Sequence, residues 1–216
     1  CALPIYTAYM CLNRKPHPHR LRLYQGLKNA GVLDCGFVSM GGNPPERIFV
    51  DDVAGQEFAP NGGSEQFGIN NDIASLGNID RWRRHLLNIV TETTWDIESC
   101  NFLSEKTYKP VLHRHPFILV GTTGMLKKLK SFGFRTFDKW WDESYDDEPT
   151  MNSRISKITE VLLRLDKLSI EQLKIMRVEM KEILEHNYQT LQNMFDNKDY
   201  HTYTEILKTL IKIKEV

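Results

Sequence analysis

Residues 102–110, FLSEKTYKP, set an acid and a lysine side by side, Glu105 and Lys106, behind Ser104, which can cap a helix. Acid suits a first helical turn, whereas lysine there works against the helix dipole. The pair makes chemical sense if the acid accepts hydrogen bonds from hydroxyls and the lysine neutralises a phosphate resting on the helix N-terminus. That reading stands ahead of a solvated lysine on a surface helix. Upstream, Glu92 follows the apolar run Leu86-Leu87-Asn88-Ile89-Val90 and is trailed by Thr93 and Thr94. A carboxylate at a strand's carboxyl end faces the binding crevice of an α/β sheet and could orient a ribose hydroxyl or a sugar; a capping acid for the next segment is the equal alternative.

Residues 13–20, NRKPHPHR, gather Arg14, Lys15, His17, His19 and Arg20 between a strand and a helix. Helix amides and a two-pronged guanidinium hold phosphate oxygens well, although taken alone this stretch reads first as a solvated basic turn. His17 and His19, separated by Pro18 and without a nearby Cys or acid, fall short of a metal site. Residues 142–148, DESYDDE, follow Trp140 and Trp141. With nothing to fix their geometry these carboxylates read as a solvated loop before a divalent-cation site, and the tryptophans as packing aromatics.

Such residues need a scaffold that brings them to one edge. Residues 5–12 read as a buried strand, and 20–30, with Leu21, Leu23, Tyr24 and Leu27, as a helix closed by Gly31. Residues 35–40 make a second strand, and 41–77, rich in Gly, Pro, Asn and Asp, a long loop. Strands are then expected at 86–91, 116–120 and 134–137, with helices at 105–113 and 125–132 between them. The alternation predicts an α/β fold, a Rossmann-like parallel sheet with helices on both faces and ligands beyond the carboxyl ends of the strands. From residue 152 onward, Ile155, Ile158, Val161, Leu162 and Leu165, then Leu173, Met176, Met180, Ile183, Leu184 and Leu191, keep helical spacing, with Ser169 as a cap. A C-terminal helical extension follows, and its final stretch, 203–213, offers one apolar face to the domain or to a missing partner. Residues 1–150 thus form the sheet domain and 151–216 the helices that pack on it.

With 216 residues, 41% of them apolar, the chain can bury a substantial core. Lysine plus arginine equal aspartate plus glutamate at 28 each, which excludes a generally basic nucleic-acid surface and an acidic solvating chain. No window has the apolar length of a transmembrane helix, and no secretory leader pattern opens the chain, so a cytoplasmic setting is expected. Cys1, Cys11, Cys35 and Cys100 are widely spaced without CxxC pairing and read as reduced packing residues. A start at Cys1 directly ahead of a strand reads as a piece of something longer.

Taken in order over residues 5–137, these features resemble the donor-binding, C-terminal half of GT-B glycosyltransferases. The likeness is closest to the alpha-1,3-fucosyltransferase-like family and related bacterial and viral glycosyltransferases. The family's Glu-Asn-Ser or Glu-Asn-Thr strand end corresponds to Glu92-Thr93-Thr94, and its aromatic followed two residues later by Glu-Lys to Phe102-Leu103-Ser104-Glu105-Lys106. Thr93 stands where the family has asparagine and Phe102 where it has tyrosine. The resemblance implies that Arg20 holds the donor pyrophosphate, Glu105 the ribose and Lys106 a phosphate, with Thr93, Phe102 and Ser104 completing the donor site and Glu92 near the sugar. It also implies a nucleoside-diphosphate-sugar donor, GDP-sugar first and UDP-sugar second, and transfer to a glycan or other hydroxyl acceptor without metal or cofactor. The family's catalytic base comes from an N-terminal acceptor domain, for which this chain has no room; Glu92 is the fallback base. Lys109 is expected to add little to diphosphate binding. The alternatives are a nucleotide-sugar-binding module inactive alone, or a non-catalytic α/β scaffold domain whose helical tail mediates assembly.

Overall fold

The computed structural model describes residues 7–13, 16–40, 48–49, 82–93, 95 and 103–196. The apolar runs become the strands β1 (Thr7–Asn13), β2 (Gly36–Met40), β4 (His85–Thr91) and β5 (Phe117–Val120), with a two-residue β3 (Ile48–Phe49) on the edge. The sheet order is β3-β2-β1-β4-β5; β1 pairs in parallel with β2 and β4, β4 in parallel with β5, and the edge pair β2–β3 runs antiparallel. Every residue of β4 and β5 is buried, as strands covered on both faces must be.

Among the described residues six helices flank the sheet: α1 (Pro18–Asn29), α2 (Glu105–Leu112), α3 (Met125–Ser131), α4 (Met151–Asp166), α5 (Ile170–Glu179) and α6 (Lys181–Asp196). The crossover through α1 leads from β1 outward to β2, and that through α2 from β4 outward to β5 in the opposite sense. Right-handed crossovers therefore put α1 and α2 on opposite faces. On one face α4 packs on α1 and β1, so closely that a Cβ added to Gly26 would come 2.5 Å from Ile155 Cγ2; on the other α6 packs on α2.

Helix starts follow local chemistry. Pro18 opens α1, Ser104 accepts from the Lys106 amide, Thr150 from Ser153, and Ser169 forms a capping box with Gln172. Helix α3 starts after Gly124, held at φ +79°, and its cap comes from afar. The Asp146 carboxylate accepts from the amides of Met125 at 3.1 Å and Leu126 at 2.9 Å. The acidic run expected to be solvated is thus partly interior: Asp146 is buried, Glu143 accepts from the Phe137 amide, and Glu148 pairs with Lys157. Among the described residues no group of His, Cys, Asp and Glu could hold a metal ion, and no helix is long and apolar enough to cross a membrane. Cys11 and Cys35 are free, Cys11 buried; Cys1 and Cys100 lie outside the described residues.

One expected element is absent from the sheet. Residues 134–137 bury Phe134 and Phe137 but form no strand. A single amide replaces a neighbouring strand there: Asn187 of α6 accepts from the Arg135 N–H at 2.7 Å and donates to its C=O at 2.9 Å. The amphipathic stretch at 203–213 and most of the loop at 41–77 lie outside the described residues.

At the amino end of β4 and β5, Trp82 stacks on His113 at 4.5 Å and His85 lies 4.7 Å from His115. Burial holds His115 well below the usual imidazole range, and Arg177, His85 and His113 push the same way. The unfolded chain takes up this proton near pH 6.5 while the native protein resists it. Stability from this ring is therefore complete above that pH and falls as pH drops below it, by at most about 1.4 kcal/mol per pH unit. Urea midpoints between pH 7 and 5 should fall less steeply in His115→Phe than in wild type; identical slopes would acquit the ring.

Candidate functional site

The strand order reverses between β1 and β4, and the crevice beyond the carboxyl ends of these strands is where such sheets place ligands. The two strand ends are tied together: Thr91 Oγ1 donates to Asn13 Oδ1 at 2.5 Å, and Asn13 Nδ2 donates to the Ser39 carbonyl at 3.3 Å. Neither Asn13 nor Thr91 stands out in the sequence, because only the parallel register makes them neighbours.

Arg20 sits in the first turn of α1, 4% exposed, and donates through Nη2 to the Thr91 carbonyl at 3.3 Å. Burial lowers its guanidinium from the ordinary range, while Cys11, Glu92 and Glu105 support its charge. His19 Nε2 lies 2.9 Å from the Glu92 carbonyl oxygen, which fixes the hydrogen on that nitrogen. Its ring lies near-parallel to His17 at 6.0 Å and to Trp95 at 6.1 Å, and the Arg154 guanidinium sits 4.8 Å over the far ring.

Glu92 continues the β4–β5 ladder by one residue, its amide donating to the Val120 carbonyl at 2.8 Å. Its side chain is fully buried: the carboxylate accepts from the Ser104 amide at 3.0 Å and from the hydroxyls of Ser104 and Thr107. The carboxylate clamps the start of α2 to the end of β4. It is poorly placed for the two jobs the sequence suggested, general base and sugar ligand, because both oxygens are engaged and closed off from the crevice. The capping alternative describes it better.

Beyond that clamp the ionic pair is open. Lys106 Nζ lies 2.8 Å from Glu105, 3.2 Å from Thr93 Oγ1 and 3.3 Å from Ser104 Oγ, with 33% of the lysine side chain and 14% of the glutamate exposed. The structure thus brings Arg20, Thr93, Ser104, Glu105 and Lys106 to one stretch, residues 91–93, from two separate strand-helix junctions. Phe102, Arg14 and Lys15 lie outside the described residues. Trp141 is buried and Trp140 donates to Glu179 at 3.0 Å, both away from the crevice contacts.

One residue of this corner escaped the sequence reading. Arg154 of α4, 1% exposed, donates to the carbonyls of Gly121, Asp146 and Glu148 and to Thr123 Oγ1, so it binds the turn after β5 to the closing helix. A signal was present: Arg154 lies one turn before Ile158 on the apolar stripe of its helix, a place where a charge is retained only with partners. Lys109, expected to be a bystander, is 9% exposed. No protein-family model matches the chain, and neither a curated protein nor a solved structure does.

Proposed function

We propose that this chain is the donor-binding part of a glycosyltransferase and holds a nucleoside-diphosphate sugar at the switch point of its sheet. The observation that carries this reading is the convergence of Arg20 and Lys106, from the first turns of two different helices, on residues 91–93, where β4 ends and the chain leaves the sheet. A diphosphate there meets a guanidinium and an ammonium. Glu105, paired with Lys106, is left to accept from ribose hydroxyls. The same preorganised cations would stabilise a departing diphosphate as its charge develops, which is the part of sugar transfer these residues can perform without a metal. The reading goes with a GDP- or UDP-sugar donor, a hydroxyl acceptor and a cytoplasmic setting.

A narrower form, nucleotide-sugar binding without transfer by this chain alone, is favoured by the enclosure of Glu92, which leaves the base to be supplied from elsewhere. Measured nucleotide-sugar binding without transfer or donor hydrolysis would select that form. The test of both is a thermal-shift and affinity panel of GDP, UDP and ADP with their sugars, since a ligand of the native state raises the melting temperature by mass action. Lys106→Ala should weaken diphosphate binding by roughly 1.5–3 kcal/mol, as should Arg20→Ala. A third of the Lys106 side chain is exposed, so its variant reads binding with little folding defect. No stabilisation by any nucleotide, or unchanged affinity in Lys106→Ala, would sink the reading.

A further inference from the structure

The two most exposed large apolar side chains among the described residues stand one helical turn apart on α5: Ile175 is 59% exposed and Val178 71%. Glu179, one turn beyond Ile175, shares that outward face, and its carboxylate accepts from Trp140 Nε1 at 3.0 Å. The half-buried Trp140 therefore borders the apolar pair. A single exposed aliphatic needs no explanation, but a group of them with an aromatic rim marks a contact surface.

Cations continue the same surface. Lys139 Nζ lies 5.1 Å from the centre of the Trp140 ring, and its neighbour Asp138 lies 3.5 Å from Lys130 Nζ of α3. The outer side of α3 adds the exposed Lys127 and Lys128, with Lys128 Nζ 4.8 Å from the ring centre of the half-buried Phe132. Among the described residues Lys127, Lys128 and Lys139 make no ion pair. Residues 125–140 hold five basic residues and one acid, in a chain whose acids and bases balance at 28 each. The positive charge is thus local, and it adjoins the apolar pair.

Each class of partner asks for different companions to these lysines. A nucleic acid calls for stacking or base-reading groups beside the cations, which isoleucine and valine are not. A second copy across a two-fold axis presents the same net positive face, so its charge opposes the contact. An anionic bilayer uses every part of the surface. Ammonium groups reach the phosphates while their stems and the aromatic rings lie at head-group level, and aliphatic side chains enter the acyl boundary.

We propose that the face made by α3, residues 138–140 and the outer side of α5 docks the protein peripherally on an anionic lipid surface. Ile175, Val178 and Trp140 enter the boundary, and Lys127, Lys128 and Lys139 rest on the head groups. The inference is independent of the nucleotide-binding reading and adds a partner that the reading does not require.

Co-sedimentation of the whole chain with vesicles tests it, using pure phosphatidylcholine and an equal mixture of phosphatidylcholine and phosphatidylserine. Wild type should pellet with the mixed vesicles and stay in solution with the neutral ones, and added salt should release it. Lys127→Glu combined with Lys128→Glu should lower partitioning onto the mixed vesicles by about tenfold or more. Ile175→Ser combined with Val178→Ser should lower it by about tenfold through the lost apolar contact. These four side chains are exposed, so both variants should keep the wild-type melting temperature. Wild type that does not pellet with mixed vesicles overturns the docking face, as does equal pelleting of wild type and both double variants. A dimer in solution that Ile175→Ser with Val178→Ser dissolves, without vesicle binding, gives the face to a second copy and overturns it too. None of these results bears on nucleotide affinity, so the two readings fail separately.

Discussion

Glu92→Ala is expected to lower the unfolding free energy by about 3–5 kcal/mol, the largest loss of any substitution near the crevice. The carboxylate accepts from one amide and two hydroxyls, and Glu92, Ser104 and Thr107 are each no more than 1% exposed. Water cannot replace the lost acceptor, so each orphaned donor costs about 1–3 kcal/mol, reduced where a hydroxyl can turn to another acceptor. For a chain of this size the melting temperature should fall by roughly 10 °C or more. Glu92→Gln keeps the length and one acceptor but turns an NH₂ toward hydroxyls that now donate, and should fall between alanine and wild type. A catalytic base would behave differently. If Glu92→Gln melts like wild type and abolishes donor turnover, the clamp is wrong and the side chain belongs to the chemistry.

The contrast explains how much of this protein can be read from its sequence. Continuous apolar runs such as those of β4 and β5 announce buried parallel strands, and Ser104 and Ser169 announce helix starts, because both signals are local. The Glu105-Lys106 pair is equally visible, since a lysine at a helix start is locally unfavourable and asks for a reason. What stayed hidden depends on partners distant in the chain. Residues 134–137 have the alternation of a strand, yet Asn187, 52 residues on, satisfies the backbone of Arg135 in place of one. Asp146 looks like part of a solvated acidic loop until it is found capping α3 from 21 residues away. Lys109 shows its turn of helix in the sequence but not its burial, which comes from β4 and α6 packing on that helix.

Arg154→Met is the second substitution with a large expected effect, a loss of about 2–4 kcal/mol in unfolding free energy. Methionine fills much of the same space without donors, so the carbonyls of Gly121 and Asp146, both in buried residues, lose a partner. Each unmade bond costs about 1–3 kcal/mol, and the guanidinium no longer has to be desolvated, which offsets part of the sum. The contact over Trp95 goes too, worth about 0.5–2 kcal/mol. The consequences should reach the crevice along two physical links. Asp146 caps α3 at the end of the turn that follows β5, and Trp95 lies against His19, which holds the Glu92 carbonyl. Loosening Arg154 therefore frees both walls of the β4 end at once, although the side chain has no contact with Arg20 or Lys106 among those described. Urea unfolding followed by tryptophan emission separates this from a ligand contact: Arg154→Met should shift the midpoint without nucleotide present, Arg154→Lys should recover part of the shift through one or two of the four acceptors, and Lys106→Ala should leave it near wild type. Midpoints that agree across Arg154→Met and wild type would mean that α4 is not what holds the crevice in shape.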